Sequence, residues 1–253
     1  VSTPVRVAAP PRPTRGRLRR YLPPQHGAWA MLLLPYLAAL AVTGVRWPHL
    51  PLLGAWLAGY LFSYYALQAV KTRRTDRVRP QLLRYGPVTV ACAVPVLVAE
   101  PALLVFAPGY ALLLAGNAWY AWRRRERALV NDLLSVVQSC LLVFVVATIA
   151  GVPPGAVTEV FVAVLAYLAG TVLYVKTMIR ERGSRVYRWA SVGYHLLALV
   201  VAGRWLGPAL TVLFAALLVR AAVLPGRRLS PKQVGLVEIA LSVLLLVAVG
   251  ATA

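Results

Sequence analysis

Apolar residues in this chain fall into long, nearly uncharged blocks, separated by short charged or Pro/Gly-rich breaks. The first block covers 28–45 and the second about 50–70. A third and a fourth share 86–122, interrupted by Glu100-Pro101. The fifth runs over 133–152 and stops at Pro153-Pro154-Gly155, and the sixth covers 160–175. Arg204 and Gly207-Pro208 separate a seventh block, 189–203, from an eighth, 205–219, and the ninth is 234–253. A helix needs about 20 apolar residues to cross ~30 Å of hydrocarbon with every backbone group paired. The pattern therefore predicts an all-α, polytopic membrane bundle of about nine transmembrane helices. Several blocks are shorter than that length, so flanking arginines must snorkel or the helices must extend beyond the uncharged stretch.

Composition agrees. Of 253 residues, 60% are hydrophobic and 13% charged, whereas a soluble domain is nearer half and a quarter. The net charge of +20 first suggests nucleic acid, but its distribution argues against that: the basic residues form short clusters between apolar blocks, with no long basic face. Cys92 and Cys140 sit inside apolar stretches, where a thiol acts as a small hydrophobe, and no metal-ligand spacing occurs. Residues 1–22, rich in Pro and Arg, read as a disordered basic arm without the form of a signal peptide. Residues 23–253 then form one transmembrane domain.

The basic residues give the orientation. The N-terminal arm carries six, the loops after spans two, four, six and eight carry six, four, five and four, and Arg46 and Arg204 alone fall on the other side. By the positive-inside rule the N-terminus is cytoplasmic and the C-terminus outside. An internal match appears between Val70-Lys71-Thr72-Arg73 and Val175-Lys176-Thr177-Met178, 105 residues apart. With 24 Arg and only three Lys in the chain, two lysines at equivalent places are notable. The same offset sets His26 opposite Asn131. It predicts two parallel four-helix halves, about 23–127 and 128–228, plus a C-terminal helix, 233–253.

Pro24-Gln25-His26-Gly27-Ala28-Trp29-Ala30-Met31, Asn131-Asp132-Leu133 and the run Gly170 to Arg182 resemble motifs of the YwiC-like family of bacterial membrane proteins. The resemblance covers about Pro23 to the C-terminus. It implies a multi-pass protein of the bacterial inner membrane and no particular reaction. The layout is also similar to UbiA-type intramembrane prenyltransferases, which have nine helices, two four-helix halves and Asp-rich cytoplasmic motifs that hold magnesium against a prenyl diphosphate. Here those places read Gln68-Ala69-Val70-Lys71 and Tyr174-Val175-Lys176-Thr177, with only Asp76 and Glu181 nearby. A basic pair cannot bind magnesium, but it can hold a phosphate as a point charge.

Ionisable groups in or at the ends of spans are the candidates for chemistry. Lys71 and Lys176 end their spans, either converging on an anionic headgroup or snorkelling and stabilising the helix C-terminus. His26, after Gln25, opens span one as a possible general acid or base, or as part of a helix cap. Asn131 and Asp132 open span five, as pocket residues or as an N-terminal cap, with Arg125 or Arg127 as possible partners of Asp132. Arg180 lies on the motif after Lys176. His195 is mid-span, either a ligand or a buried neutral imidazole bonded to a neighbouring helix. Glu238 would pair with Lys232 or with a basic residue of another helix, and Asn117 and Gln138 read as interhelical hydrogen-bond partners.

The expected function is a cytoplasm-facing pocket for an anionic lipid or isoprenoid phosphate. His26 and Asp132 are its candidate catalytic groups, and Gln25, Lys71, Asn131, Lys176, Arg180 and His195 its binding groups. Whether it catalyses a reaction or uses a metal stays open, the cofactor is unknown, and no residue is assigned as a metal ligand. A small-molecule or anion transporter and a non-catalytic assembly factor for a respiratory or cofactor complex are the rival readings. The topology is directly testable. A membrane-impermeant maleimide should label a cysteine at Arg77 only after the cytoplasmic face is opened, and one at Arg46 in intact cells. The reverse pattern contradicts the orientation.

Overall fold

In the computed structural model the described residues are Tyr21, 26–227 and 229–251, with the side chains of 26–28 set aside. The basic arm, Gln25 and the His26 side chain therefore lie outside what is described. Among the described residues the chain is helical throughout, without strands. The helices are α1 (His26–Thr43), α2 (His49–Thr72), α3 (Arg79–Ala99), α4 (Ala107–Trp122), α5 (Leu129–Cys140), α6 (Leu142–Ala150), α7 (Thr158–Val175), α8 (Arg185–Val201), α9 (Gly207–Val223) and α10 (Pro231–Gly250). A 3₁₀ turn, Pro101–Phe106, leads into α4, and π turns follow α7 (Lys176–Arg180) and α8 (Ala202–Leu206).

Local chemistry sets these boundaries. Glu100-Pro101 ends α3, because the residue before a proline is pushed out of the helical region; Glu100 sits at φ −136°. Gly151 caps α6 in the left-handed region at φ 75°, ahead of Pro153. Ser230 and Gln233 form a reciprocal capping box at the start of α10, with Pro231 in the first turn. Two helices extend N-terminally beyond their uncharged blocks through arginine-bearing turns. Arg79 and Arg84 lie within α3, and Arg185 and Arg188 within α8. The short blocks are thus lengthened by arginine-bearing turns.

Seven helical segments among the described residues are long and apolar enough to cross a membrane, and Trp29–Thr43 is a shorter apolar helix. One of the seven, Arg185–Val223, would be far too long for a single crossing. It folds back at Gly207 (φ 82°, ψ 173°), where α8 and α9 pack side by side. Arg188 Nη2, near its start, donates to Ala222 O, near its end, at 3.4 Å. Leu129–Ala150 is interrupted at Leu141, so this segment is two consecutive helices, α5 and α6.

A cluster of fully buried residues lies where α1, α6 and α7 meet. Ala38, Ala39, Val146, Ala147, Ile149, Ala163 and Val164 are all fully buried there. Alanines let helix backbones approach closely where hydrocarbon solvent supplies no hydrophobic drive. By contrast α2, α3 and α4 form a wall along one side. Only 6% of the span window of α3 is buried, against 50% for Leu129–Ala150. Its outward side chains, Val90, Val94 and Val98 among them, are large and apolar, as a lipid-facing surface requires. The wall leaves a gap between itself and α1, α5 and α7.

The two ends of the bundle differ. At one, Arg46 Nη1 donates to Ile149 O at 2.7 Å and lies 3.8 Å from Glu100. His49, fully buried, bonds Val146 O at 3.1 Å through Nε2 and accepts from the Arg46 N–H through Nδ1, and Tyr36 Oη donates to His49 O. At the other end the arginine-rich turns meet, with Arg182 Nη2 donating to Leu229 O. The hairpin at Gly207 carries a stability prediction. Its backbone angles belong almost exclusively to glycine, so Gly207→Val should lower stability by about 1–3 kcal/mol in thermal unfolding of the detergent-purified protein. An unchanged midpoint contradicts the hairpin geometry.

Candidate functional site

The gap between the α2–α4 wall and α1, α5 and α7 is a cavity of about 1000 Å³. Its deeper part is lined by Met31, Leu32, Ala55, Trp56, Gly59, Phe62, Leu67, Leu114 and Val172, with a polar band of Asn117, Ser135, Gln138 and Ser139. At the arginine-rich end the lining turns ionic: Lys71, Glu126, Arg127, Asn131, Asp132 and Arg180. The groups that close the opposite end, Tyr36, Arg46 and His49, take no part in the lining.

The segment 126–132, which leads into α5, organises this ionic end. Lys71, at the last turn of α2, forms an ion pair with Glu126. Lys176 donates to Asp132 Oδ2 at 2.8 Å and to Arg127 O, also at 2.8 Å. Arg180 Nη1 lies 4.0 Å from the same Asp132 oxygen. Asn131 Nδ2 donates to Glu126 O at 2.9 Å. The π turn widens the end of α7, with the Glu181 N–H reaching back to Lys176 O at 2.7 Å. Both cations of that turn thereby address Asp132, and such turns recur at functional sites. The two lysines thus grip one short segment from two sides.

The lysines are not equivalent. Lys71 is half-buried and lines the cavity, whereas Lys176 is 5% exposed and lies beneath the lining. Lys176 is a clamp that fixes Asp132, and Arg180 is the cation of that pair that reaches the lumen. Asp132 takes its charge partners from Lys176 and Arg180, and not from Arg125 or the Arg127 guanidinium; Arg127 contributes its carbonyl. Counting Lys71, Arg127, Lys176 and Arg180 against Glu126 and Asp132, the ionic end keeps a net charge of about +2. Burial works against the charge on Glu126. The hydrogen bond from Lys71, a backbone N–H and the nearby Lys71 and Arg127 charges outweigh it and hold its carboxyl below the usual range.

Deeper in the cavity, Asn117 Nδ2 donates to Gln138 Oε1 at 3.0 Å and joins α4 to α5 as expected. Trp56 Nε1 donates to Leu32 O and Ser139 Oγ to Met31 O at 2.5 Å, which tie α2 and α5 to α1. Trp56 is thus a wall residue of the cavity.

His195 is elsewhere, in a second buried cluster formed by α7–α10. Its Nδ1 faces Ser191 O at 2.7 Å, and its Nε2 faces Arg220 Nη2 at 3.3 Å. A carbonyl only accepts and a guanidinium only donates, so the ring is neutral with its proton on Nδ1. Arg220 also pairs with Glu238 and lies over the Tyr174 ring, 4.1 Å from its centre. Thr171 Oγ1 donates to Glu238 Oε2 at 2.9 Å. A Cβ at Gly170 would lie 3.0 Å from His195 Nε2, so a larger residue there would press on the imidazole. Of the expected alternatives for Glu238, the partner on another helix is the one found. Arg220, counted with the loop charges from sequence, is 6% exposed inside α9. Its only sequence signal is a position one turn inside the end of its helix.

The family model described as YwiC-like protein matches residues 22–147. An uncharacterized protein of Haemophilus influenzae is 32% identical over 237 residues, covering 88% of this chain and 96% of its own. The uncharacterized protein YwiC of Bacillus subtilis is 31% identical over 233 residues, covering 88% and 93%. The chain belongs to the YwiC-like family. No solved structure matches it. The YwiC-like region contains α1 to α5, and with them Lys71, Glu126, Asn131, Asp132 and Gln138. Lys176 and Arg180 come from beyond it, so the YwiC-like region and the following helices build the ionic end together.

Removing Lys176 leaves Asp132 without its nearest partner in a buried setting, so Lys176→Met should cost about 3 kcal/mol. Lys71→Met, at a half-exposed pair, should cost less than about 1 kcal/mol. The Lys71 contribution has a pH sign. A carboxyl whose folded-state pKa is depressed stabilises above its unfolded value, and that stability is lost as pH falls through the folded value. Thermal unfolding of wild type and Lys71→Met should therefore converge in acid below the usual carboxylate range. A gap that persists there, or a Lys176→Met protein as stable as Lys71→Met, contradicts these assignments.

Proposed function

We propose that this protein is a nine-span membrane protein with a cytoplasm-facing cavity that binds an amphiphile with an anionic head, a lipid or isoprenoid phosphate. The carrying observation is the gradient along the cavity: an apolar and aromatic interior that ends in a cluster with excess positive charge. A phosphate at that end meets Arg180, Arg127 and Lys71, while its chain lies against Trp56, Phe62, Leu67 and Leu114. Nine crossings follow if His26–Thr43 and each arm of the Gly207 hairpin span the bilayer. The arginine-rich turns then lie inside, with the C-terminus outside. Two four-helix halves fit the way Lys71 and Lys176 address the same 126–132 segment.

The closed opposite end supports binding over passage. Arg46, His49 and Tyr36 are engaged with one another and with α6, where a transport path would need an exit. Asp132, held by two cations, is suited to positioning Lys176 and Arg180 more than to taking a proton. We therefore assign a binding function and no reaction. Mass spectrometry of co-purifying lipids should find an anionic amphiphile retained by the wild type. A Lys71→Gln, Arg180→Gln double variant, which spares the buried Lys176 clamp, should lose it several-fold. An identical lipid profile in the two proteins contradicts the site.

A further inference from the structure

Lys71, the cation of α2 at the ionic end, already holds an anion, and that narrows what can replace it. This inference rests on the anionic-amphiphile reading. Lys71 and Glu126 both line the cavity and pair with each other. Their side chains are 38% and 33% exposed, against 6% for Lys176 in its pair with Asp132. Asp132 has two cations, Lys176 and Arg180, whereas Glu126 stands in an ion pair with Lys71 alone among the described residues. The Glu126 backbone is fixed separately, by the Asn131 side chain on its carbonyl at 2.9 Å. Its carboxylate can therefore leave Lys71 while the segment stays in place. A pair this exposed is worth no more than about fivefold in an equilibrium, so an incoming anion can break it.

We infer that Glu126 holds the place of the ligand at Lys71, and that the ligand head is a terminal phosphomonoester on a long apolar tail. Burial opposes the charge on Glu126, but the bond from Lys71 and the nearby charges hold its carboxyl below the usual range, so it stays anionic at neutral pH. A carboxylate tethered this close competes with any incoming anion at high effective concentration. A singly charged head that took its place would exchange one ion pair for another and gain nothing from Lys71. The ionic end keeps a net charge of about +2 with Glu126 ionised. A doubly charged head balances that excess, and a singly charged one leaves part of it. A phosphomonoester carries about −1.5 to −2 at neutral pH, whereas a phosphodiester or a fatty carboxylate is singly charged.

The test measures lipid binding to the full chain in detergent by native mass spectrometry. The probes are phosphatidic acid, a polyprenyl monophosphate, phosphatidylglycerol and zwitterionic phosphatidylcholine. The first two share a head and differ in tail, so they separate a glycerolipid source from an isoprenoid one. At least one of them should bind about tenfold more tightly than phosphatidylglycerol, the scale of one further charge-assisted hydrogen bond. Glu126→Gln should strengthen binding of every anionic probe by up to about fivefold, because the tethered competitor is gone. In a Lys71→Gln background that gain should shrink to the one given by Asp76→Asn. Asp76 lies in the exposed turn after α2, outside the Lys71 pair, and reports the loss of one negative charge by itself. Phosphatidylglycerol bound as tightly as both monoesters overturns the head assignment and leaves the anionic site standing. No gain from Glu126→Gln, or an undiminished gain in the Lys71→Gln background, overturns the place-holding role. No preference of the wild type for any anionic probe over phosphatidylcholine overturns the site itself.

Discussion

A charge inside a helix bundle that faces hydrocarbon has to be paired, and this chain has few acids with which to do it. It carries seven Asp and Glu against 27 Lys and Arg. Four of the seven, Glu100, Glu126, Asp132 and Glu238, stand in ion pairs that join different parts of the fold. Each closes a particular place. Glu100 with Arg46 seals one end, Glu238 with Arg220 ties α10 to α9, and Glu126 and Asp132 shape the ionic end of the cavity. An unpaired partner is costly where the pair is buried, so the Lys176–Asp132 and Arg220–Glu238 pairs fix geometry whether or not they add net stability.

The Lys176–Asp132 pair has the widest consequences. It holds the start of α5 against the end of α7, across the boundary between the region matched by the YwiC-like family and the helices that follow it. Beside that junction the cavity between the α2–α4 wall and α1, α5 and α7 ends in its ionic lining. Trp56 and Ser139 anchor the same walls to α1 deeper down. The second cluster, around Arg220, has the opposite character. There a guanidinium, a carboxylate, an imidazole and a tyrosine ring pack against one another between the helices.

Hydropathy made the helices legible, because length and uncharged composition are what a crossing demands. Glu100-Pro101 and Pro153-Pro154 were readable as breaks, since proline geometry is local. The Gly207 turn was marked by Gly-Pro within an otherwise apolar run. Other features have no local signal. The π turn at Lys176–Arg180 and the break at Leu141 contain no proline or glycine to mark them. Arg220 looks like a loop arginine until α9 is seen to carry it inward to Glu238. Lys71 and Lys176 were legible as a pair by their spacing, but the difference in their burial was not. Asn131 and Asp132 read equally well as a cap, and only their contacts with Glu126, Lys176 and Arg180 place them at a cavity. His195, singled out for its isolation in an apolar span, belongs to the Arg220 cluster and lines no part of that cavity.

The account turns on whether the space between the α2–α4 wall and α1, α5 and α7 is a ligand site. An electron cryomicroscopy map of the protein in nanodiscs of native lipid tests this most directly. The account predicts elongated density with its head between Lys71 and Arg180 and its body passing Gln138 and Trp56. A wall collapsed onto α1 and α5, or an empty cavity with lipid only on the outer surface of α3, would contradict it.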